Sequence, residues 1–195
     1  MNTRNYQKHT SKNFLQKLLI GNFYQRLLTV VAKVNIGRIL DAGCGEGFTL
    51  KRLKEKNIGN YHEGIDILRT AIKLGRELNP DIKFSLGNIY HLPYENNSFD
   101  LVLCNEVLEH LSNPKAALKE IIRVSKKYCL ISVPNEPWFR LANFLRLKNL
   151  SRLGNDPEHI QHWSKGSLLS LLKKVSLTPI EVKLPFPWIL VLAEI

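Results

Sequence analysis

Two runs in this 195-residue chain place side chains at spacings that suit chemistry. The first is Asp41-Ala42-Gly43-Cys44-Gly45-Glu46-Gly47-Phe48, where glycine takes every second position between an apolar segment and a helical pattern. Strand, glycine loop and helix in that order build a nucleotide site at the carboxyl edge of a parallel sheet, because the loop's backbone N–H groups stay free to meet the ligand. The next apolar segment, Tyr61 to Ile65, ends in Asp66, where an acid accepts both hydroxyls of a ribose. The second run is Asn105-Glu106-Val107-Leu108-Glu109-His110. Its i, i+3, i+4 spacing predicts that one helical turn brings Glu106, Glu109 and His110 to one face, a general-base arrangement. The same run also reads as an ordinary helix start, with Asn105 as cap and the glutamates at the positive end of the dipole.

The glycine spacing narrows the nucleotide. A dinucleotide fingerprint requires G-x-G-x-x-G, which would put its third glycine where Phe48 stands. The pattern here is D-x-G-x-G-x-G, which resembles motif I of the class I S-adenosylmethionine (SAM) methyltransferases. Leu86-Gly87-Asn88-Ile89, Leu92-Pro93-Tyr94 and Ser98-Phe99-Asp100-Leu101-Val102 are similar to that family's later motifs, in the same order. The resemblance implies a cofactor, SAM, and a role for each wall residue. Gly43, Cys44, Gly45 and Gly47 approach its methionine part and Asp41 holds its ammonium. Asp66 takes the ribose. Asn88, where the family has an acid, accepts from the adenine amino group, Ile67 and Ile89 sandwich the ring, and Asn105 closes strand four beside the sulfonium. The alternative for Ile67 and Ile89 is ordinary strand-end core.

The E-V-x-E-H run is also similar to the metal-binding segment of two branches of these enzymes. One comprises ubiquinone-pathway O-methyltransferases; the other methylates the 2′-hydroxyl at small-RNA 3′ ends and completes its site with a later histidine. That resemblance offers Glu106, Glu109, His110 and His159 (or His162) as metal ligands, a set better suited to Mn²⁺, Fe²⁺ or Zn²⁺ than to Mg²⁺. Without a metal, His110 and Glu109 remain the catalytic candidates.

These residues need a scaffold. Apolar segments alternating with helical patterns predict a parallel sheet, and two final strands without a helix between them (178–184 and 188–194) predict a closing hairpin. The expected fold is α/β: a Rossmann-like, doubly wound, seven-stranded, mostly parallel sheet of order 3-2-1-4-5-7-6, strand seven antiparallel, with a helical cap. The chain reads as one domain, 1–195, with an N-terminal lid helix in 1–35 and a cap insert at 134–163. Residues 1–11 read as loose. From Lys12 to Val34 the apolar positions Leu15, Leu19, Phe23, Leu27, Val31 and Val34 recur at helical spacing, with Gln16 among the polar positions. Gly21 costs that helix about 1 kcal/mol and is a place where it can split. In the insert, Trp138, Phe139 and Phe144 read as the buried side of a lid helix, with stacking on bases as the alternative.

Charge and cysteine usage bound the partners. All of the net charge of +11 lies in two acid-free stretches, 1–40 and 138–153. These flank the acceptor side in the family resembled, so an anionic acceptor or an acidic surface is expected, with solvated helix faces as the plain alternative. The basic amphipathic N-terminal helix is also of a kind that lies on an anionic membrane. No apolar run approaches the ~20 residues of a membrane helix, and the amino terminus is too polar for a secretory signal. Cys44, Cys104 and Cys129 lack C-x-x-C spacing and read as reduced thiols of a cytoplasmic protein. The expectation is a SAM-dependent methyltransferase acting on a small or lipid-linked acceptor by O-methylation. Its alternatives are an RNA methyltransferase with metal-assisted 2′-O transfer, an NAD(P)-dependent oxidoreductase, and a SAM-binding protein without catalysis.

Overall fold

A computed structural model describes residues 3–136, 138–145 and 153–195. Strands β1 (Arg38–Ala42), β2 (Tyr61–Asp66), β3 (Lys83–Leu86), β4 (Phe99–Asn105), β5 (Ser125–Pro134), β6 (Thr178–Lys183) and β7 (Trp188–Glu194) form one sheet of order β3-β2-β1-β4-β5-β7-β6. The first five are parallel, and β7 runs antiparallel to both β5 and β6. The expected topology is the one observed. Most boundaries fall within two residues of expectation, although β5 begins three residues early, at Ser125.

The period of two along each central strand sends alternate residues to opposite faces. Leu40, Val102, Cys104, Cys129, Ile131 and Val191 join one core with helices α5 (Pro114–Val124) and α7 (Lys165–Lys174). Ile39, Leu101, Leu103, Leu130, Leu190 and Leu192 join the other, with α2 (Phe14–Val31), α3 (Phe48–Glu55) and α4 (Arg69–Leu78). Burial on both faces explains why these strands read as continuous apolar runs. Asn113 caps α5, with Pro114 in its first turn, and Ser164 and Ser167 form a reciprocal capping box on α7.

The N-terminal segment departs from expectation. Residues 1–11 do not run loose through the described part: Thr3 caps a helix, α1 (Arg4–Thr10), which Asn13 and α2 follow. Gly21 does not split α2, whose hydrogen-bonded turns and buried Ile20, Phe23 and Tyr24 carry the helix across it. At its start the expected face is inverted. Gln16 is buried, its Nε2 donating to the Lys8 carbonyl at 2.7 Å, while Leu15 is exposed.

The cap insert contains α6 (Trp138–Leu145) and a stretch without helix or strand from Leu153 to Trp163. The three aromatics do not all face inward. Phe139 meets His159 with ring centroids 5.1 Å apart, whereas Trp138 and Phe144 are exposed. Arg146, Lys148 and Arg152 lie outside the described residues.

Candidate functional site

The sheet order reverses between β1 and β4, so the carboxyl ends of those two strands open a crevice, the switch point at which α/β sheets bind ligands. A cavity of about 1200 Å³ lies there. It is lined by every expected cofactor contact but one, Gly47, and by all four expected metal ligands.

The glycine loop takes a conformation few other residues tolerate. Gly43, Gly45 and Gly47 have φ of +88°, +53° and +80°. A Cβ on Gly43 would collide with Val107, and one on Gly47 with the Phe84 ring. The Gly43 and Cys44 amides donate to the Ile65 carbonyl at 2.8 and 3.1 Å, tying the loop to the end of β2. Asp66 adds to that tie. One of its carboxylate oxygens accepts from the Gly45 amide and the other from the Leu68 amide, both at 2.8 Å. Each oxygen keeps a second lone pair for another donor.

Asp41 is buried, and its Oδ1 has no hydrogen-bond partner. Burial, with Asp66 adding to it, pushes the Asp41 carboxyl up to about 8. Asn105 is the last residue of β4 rather than a helix cap; its buried side-chain oxygen and nitrogen are also without partners. Asn88 Oδ1 accepts from the Tyr90 amide at 3.0 Å, and Ile67, two-thirds exposed, and Ile89 line the same wall.

Glu106, Glu109 and His110 do not share a helical face. Glu106 has φ of +57°, and only Leu108–His110 coil, as a single 3₁₀ turn. The left-handed residue sends the two carboxylates apart. Glu106 accepts from Trp188 Nε1 and lies 3.6 Å from Lys8 Nζ. Burial raises its pKa, against the pull of Lys8 and Trp188. Glu109 turns inward, with both carboxylate oxygens buried and unpartnered. Burial first, and Glu106 second, hold its pKa well above the usual carboxylate range.

The Glu109 carbonyl accepts from the Ile160 and Gln161 amides at 2.9 and 3.0 Å, which brings the cap stretch against this turn. As a result His159 meets His110 with ring centroids 5.1 Å apart. His110 Nδ1 lies 2.9 Å from the Glu158 carbonyl, so Nδ1 carries the proton and Nε2 is left to accept. Burial lowers the His159 pKa to about 4, and its Nδ1 is buried without a partner. One ligand atom each from Glu109, His110 and His159 lie within 4.8 Å of one another. Glu106 stands apart from that trio, held by Trp188, and His162 faces Glu136 instead.

Several cavity residues lie outside the expected contacts. Glu46, fully buried, accepts from Thr3 Oγ1 and from Asn5 Nδ2, which pins the start of α1 over the glycine loop. His9 stacks on Phe48 at 4.3 Å, and Lys8 lies over the Trp188 ring at 5.2 Å. The weak signal available in the sequence was the polar run before Lys12, read as loose because it has no apolar period.

Comparison with known proteins agrees with this architecture. Residues 40–132 match the family described as a methyltransferase domain. An uncharacterized methyltransferase of Schizosaccharomyces pombe is 37% identical over 100 residues, covering 46% of this chain and 36% of that protein. A demethylmenaquinone methyltransferase of Renibacterium salmoninarum is 33% identical over 89 residues, 46% of this chain and 37% of its own length. The chain therefore spans well under two-thirds of the length of these curated relatives. Magnesium protoporphyrin IX methyltransferase of Synechocystis, solved with SAH bound, superimposes with a TM-score of 0.72 at 16% identity, over 99% of this chain and 95% of that one. Among the described residues no helix is long and apolar enough to cross a membrane. Residues 40–132 thus match a methyltransferase domain, and the sheet that carries them shares its fold with solved methyltransferases.

Proposed function

We propose that the protein transfers the methyl group of SAM to a hydroxyl of a small or lipid-linked acceptor, with the adenosyl half of the cavity formed by the glycine loop, Asp66, Ile67, Asn88 and Ile89. The observation that carries this reading is the buried, unpartnered Oδ1 of Asp41 beside a loop of left-handed glycines. SAM presents an ammonium to that carboxylate, and the ribose hydroxyls suit the free lone pairs of Asp66. Asn105 then stands beside the sulfonium.

In the transfer, an acceptor oxygen attacks the methyl carbon, the carbon–sulfur bond breaks, and S-adenosylhomocysteine leaves with the electron pair. Holding the three atoms in line in a dry cavity is worth roughly 7–11 kcal/mol. The hydroxyl proton passes to Nε2 of His110, whose Nδ1–H is fixed on the Glu158 carbonyl; a positioned base contributes about 10²–10⁴-fold. Burial, raising the Glu109 pKa well above the usual carboxylate range, favours the protonated carboxyl, which can donate a hydrogen bond to the acceptor. Transfer of labelled methyl from SAM into fractionated extract tests the reading: label in an alkali-stable ether supports it, and label in an amine redirects it to N-methylation.

A second reading has its own support. Glu109 and His159, both with unpartnered buried atoms, each bring one ligand atom within 4.8 Å of one from His110, a set that fits a divalent cation of the Mn²⁺, Fe²⁺ or Zn²⁺ type. Such an ion supplies Lewis acidity to an acceptor hydroxyl. Activity abolished by a chelator and restored by one of these ions favours this reading. If the acceptor is then RNA with a 2′-hydroxyl, binding to mixed RNA falls steeply with salt.

A further inference from the structure

Two helices that line the cavity turn apolar faces outward. On α6, Trp138, Leu141 and Phe144 recur at i, i+3, i+6 and are 50%, 43% and 46% exposed, while Phe139, Ala142 and Asn143 face the protein. At the start of α2, Phe14, Leu15 and Leu18 are 75%, 45% and 53% exposed, while Gln16 is buried. A surface helix normally does the reverse. Phe139 and Asn143 of α6 and Gln16 and Leu19 of α2 line the same cavity, so both outward faces belong to helices that wall it. Leu153 and Ile160, also exposed, extend the apolar rim beside α6, where Asn143 Nδ2 donates to the Gly154 carbonyl.

We propose that this rim is a docking surface for an anionic lipid membrane, with the cavity opening toward the headgroups. Charge selects the occupant. Lys12 and Lys17 stand exposed among Phe14, Leu15 and Leu18, and residues 1–40 contain no acid. On the cap side, Glu158 is already paired with Arg4 at 2.6 Å. A second copy of the chain would set like charges against each other, because a two-fold interface apposes the same patch to itself. Aromatic and leucine side chains interleaved with lysines instead match the interfacial zone of a bilayer with acidic headgroups. The surface deepens the lipid-linked reading of the acceptor, but binding to lipid needs no turnover, so the two fail separately.

The test is sedimentation of the whole chain with vesicles of phosphatidylcholine alone and of phosphatidylcholine with phosphatidylglycerol. The chain should bind the mixed vesicles and not the neutral ones, with affinity falling as salt rises. Lys12→Ala/Lys17→Ala should weaken binding about 30-fold, and Phe14→Ser/Trp138→Ser should remove it. Binding of S-adenosylhomocysteine should be unchanged in both variants, which verifies that they fold. No binding to the mixed vesicles overturns the proposal. So does binding that these variants leave intact, or a concentration-dependent dimer that they abolish.

Discussion

The Asp66 carboxylate accepts the Gly45 amide at 2.8 Å, so the acid proposed to hold the ribose also fixes the loop proposed to meet the methionine end. The two halves of the proposed cofactor site are thereby tied together. Asp66→Ala should remove the ribose bonds and release the loop together. Calorimetric titration of S-adenosylhomocysteine should show affinity falling by ~100-fold or more, given roughly 1.5–3 kcal/mol for each hydrogen bond to a charged group. Unchanged affinity would refute the placement of Asp66.

In the proposed site, Asp41 makes cofactor binding depend on protons. Its carboxyl is pushed from 3.8 up to about 8 by burial, so near pH 7 it is mostly protonated, and it must ionise to meet an ammonium. Binding of SAM at pH 7 should release close to one proton, read as a dependence of calorimetric heat on the buffer's ionisation enthalpy. Affinity should rise with pH and level off above about 8. The sign for stability is opposite: between 3.8 and about 8 the folded ligand-free chain holds a proton the unfolded chain lacks, so stability from this group falls as pH rises through that window. Asp41→Asn should abolish the proton release.

Gly43 cannot carry a side chain. Its φ of +88° costs an L-residue about 1–2 kcal/mol, and a Cβ there meets Val107, adding roughly 1–3 kcal/mol of overpacking. Gly43→Ala should lower the thermal midpoint. The double variant Gly43→Ala/Val107→Ala should recover only the packing part, since the left-handed backbone remains.

How far the sequence revealed this site depends on how far each residue reaches. The glycine loop and Asp66 were legible because strand, turn and helix are local, and their spacing is dictated by backbone geometry. The sheet order was legible only through the family resemblance, because local pattern gives strands and not their neighbours. The 3₁₀ turn at Leu108–His110 was not legible, because the i, i+3, i+4 spacing of Glu106, Glu109 and His110 is the same with or without a left-handed Glu106. The hydrogen bonds from Thr3 and Asn5 to Glu46, and from Trp188 to Glu106, join residues about 40 and 80 positions apart, which no periodicity records. Gln16 shows the same effect: a polar position on the helical wheel is buried because the Lys8 carbonyl waits there.

His159 provides an acid-side test. Its pKa is lowered to about 4 by burial, so the unfolded chain takes up a proton between pH 6.5 and about 4 that the folded chain refuses. Stability from this group should therefore be full above pH 6.5 and fall as the pH drops toward 4. Thermal melts across that range should fall less steeply for His159→Gln than for the parent. Under the metal reading the same variant should retain SAM binding while losing turnover, and with His110 as the base His110→Ala should lose about 10²–10⁴-fold in turnover.

Direct calorimetry of the whole chain with S-adenosylhomocysteine, set beside NAD under the same conditions, tests the central claim most closely. Saturable binding of one S-adenosylhomocysteine per chain, lost in Asp66→Ala and absent with NAD, is the predicted result. No heat and no thermal shift with S-adenosylhomocysteine, or equal binding of NAD, would contradict it.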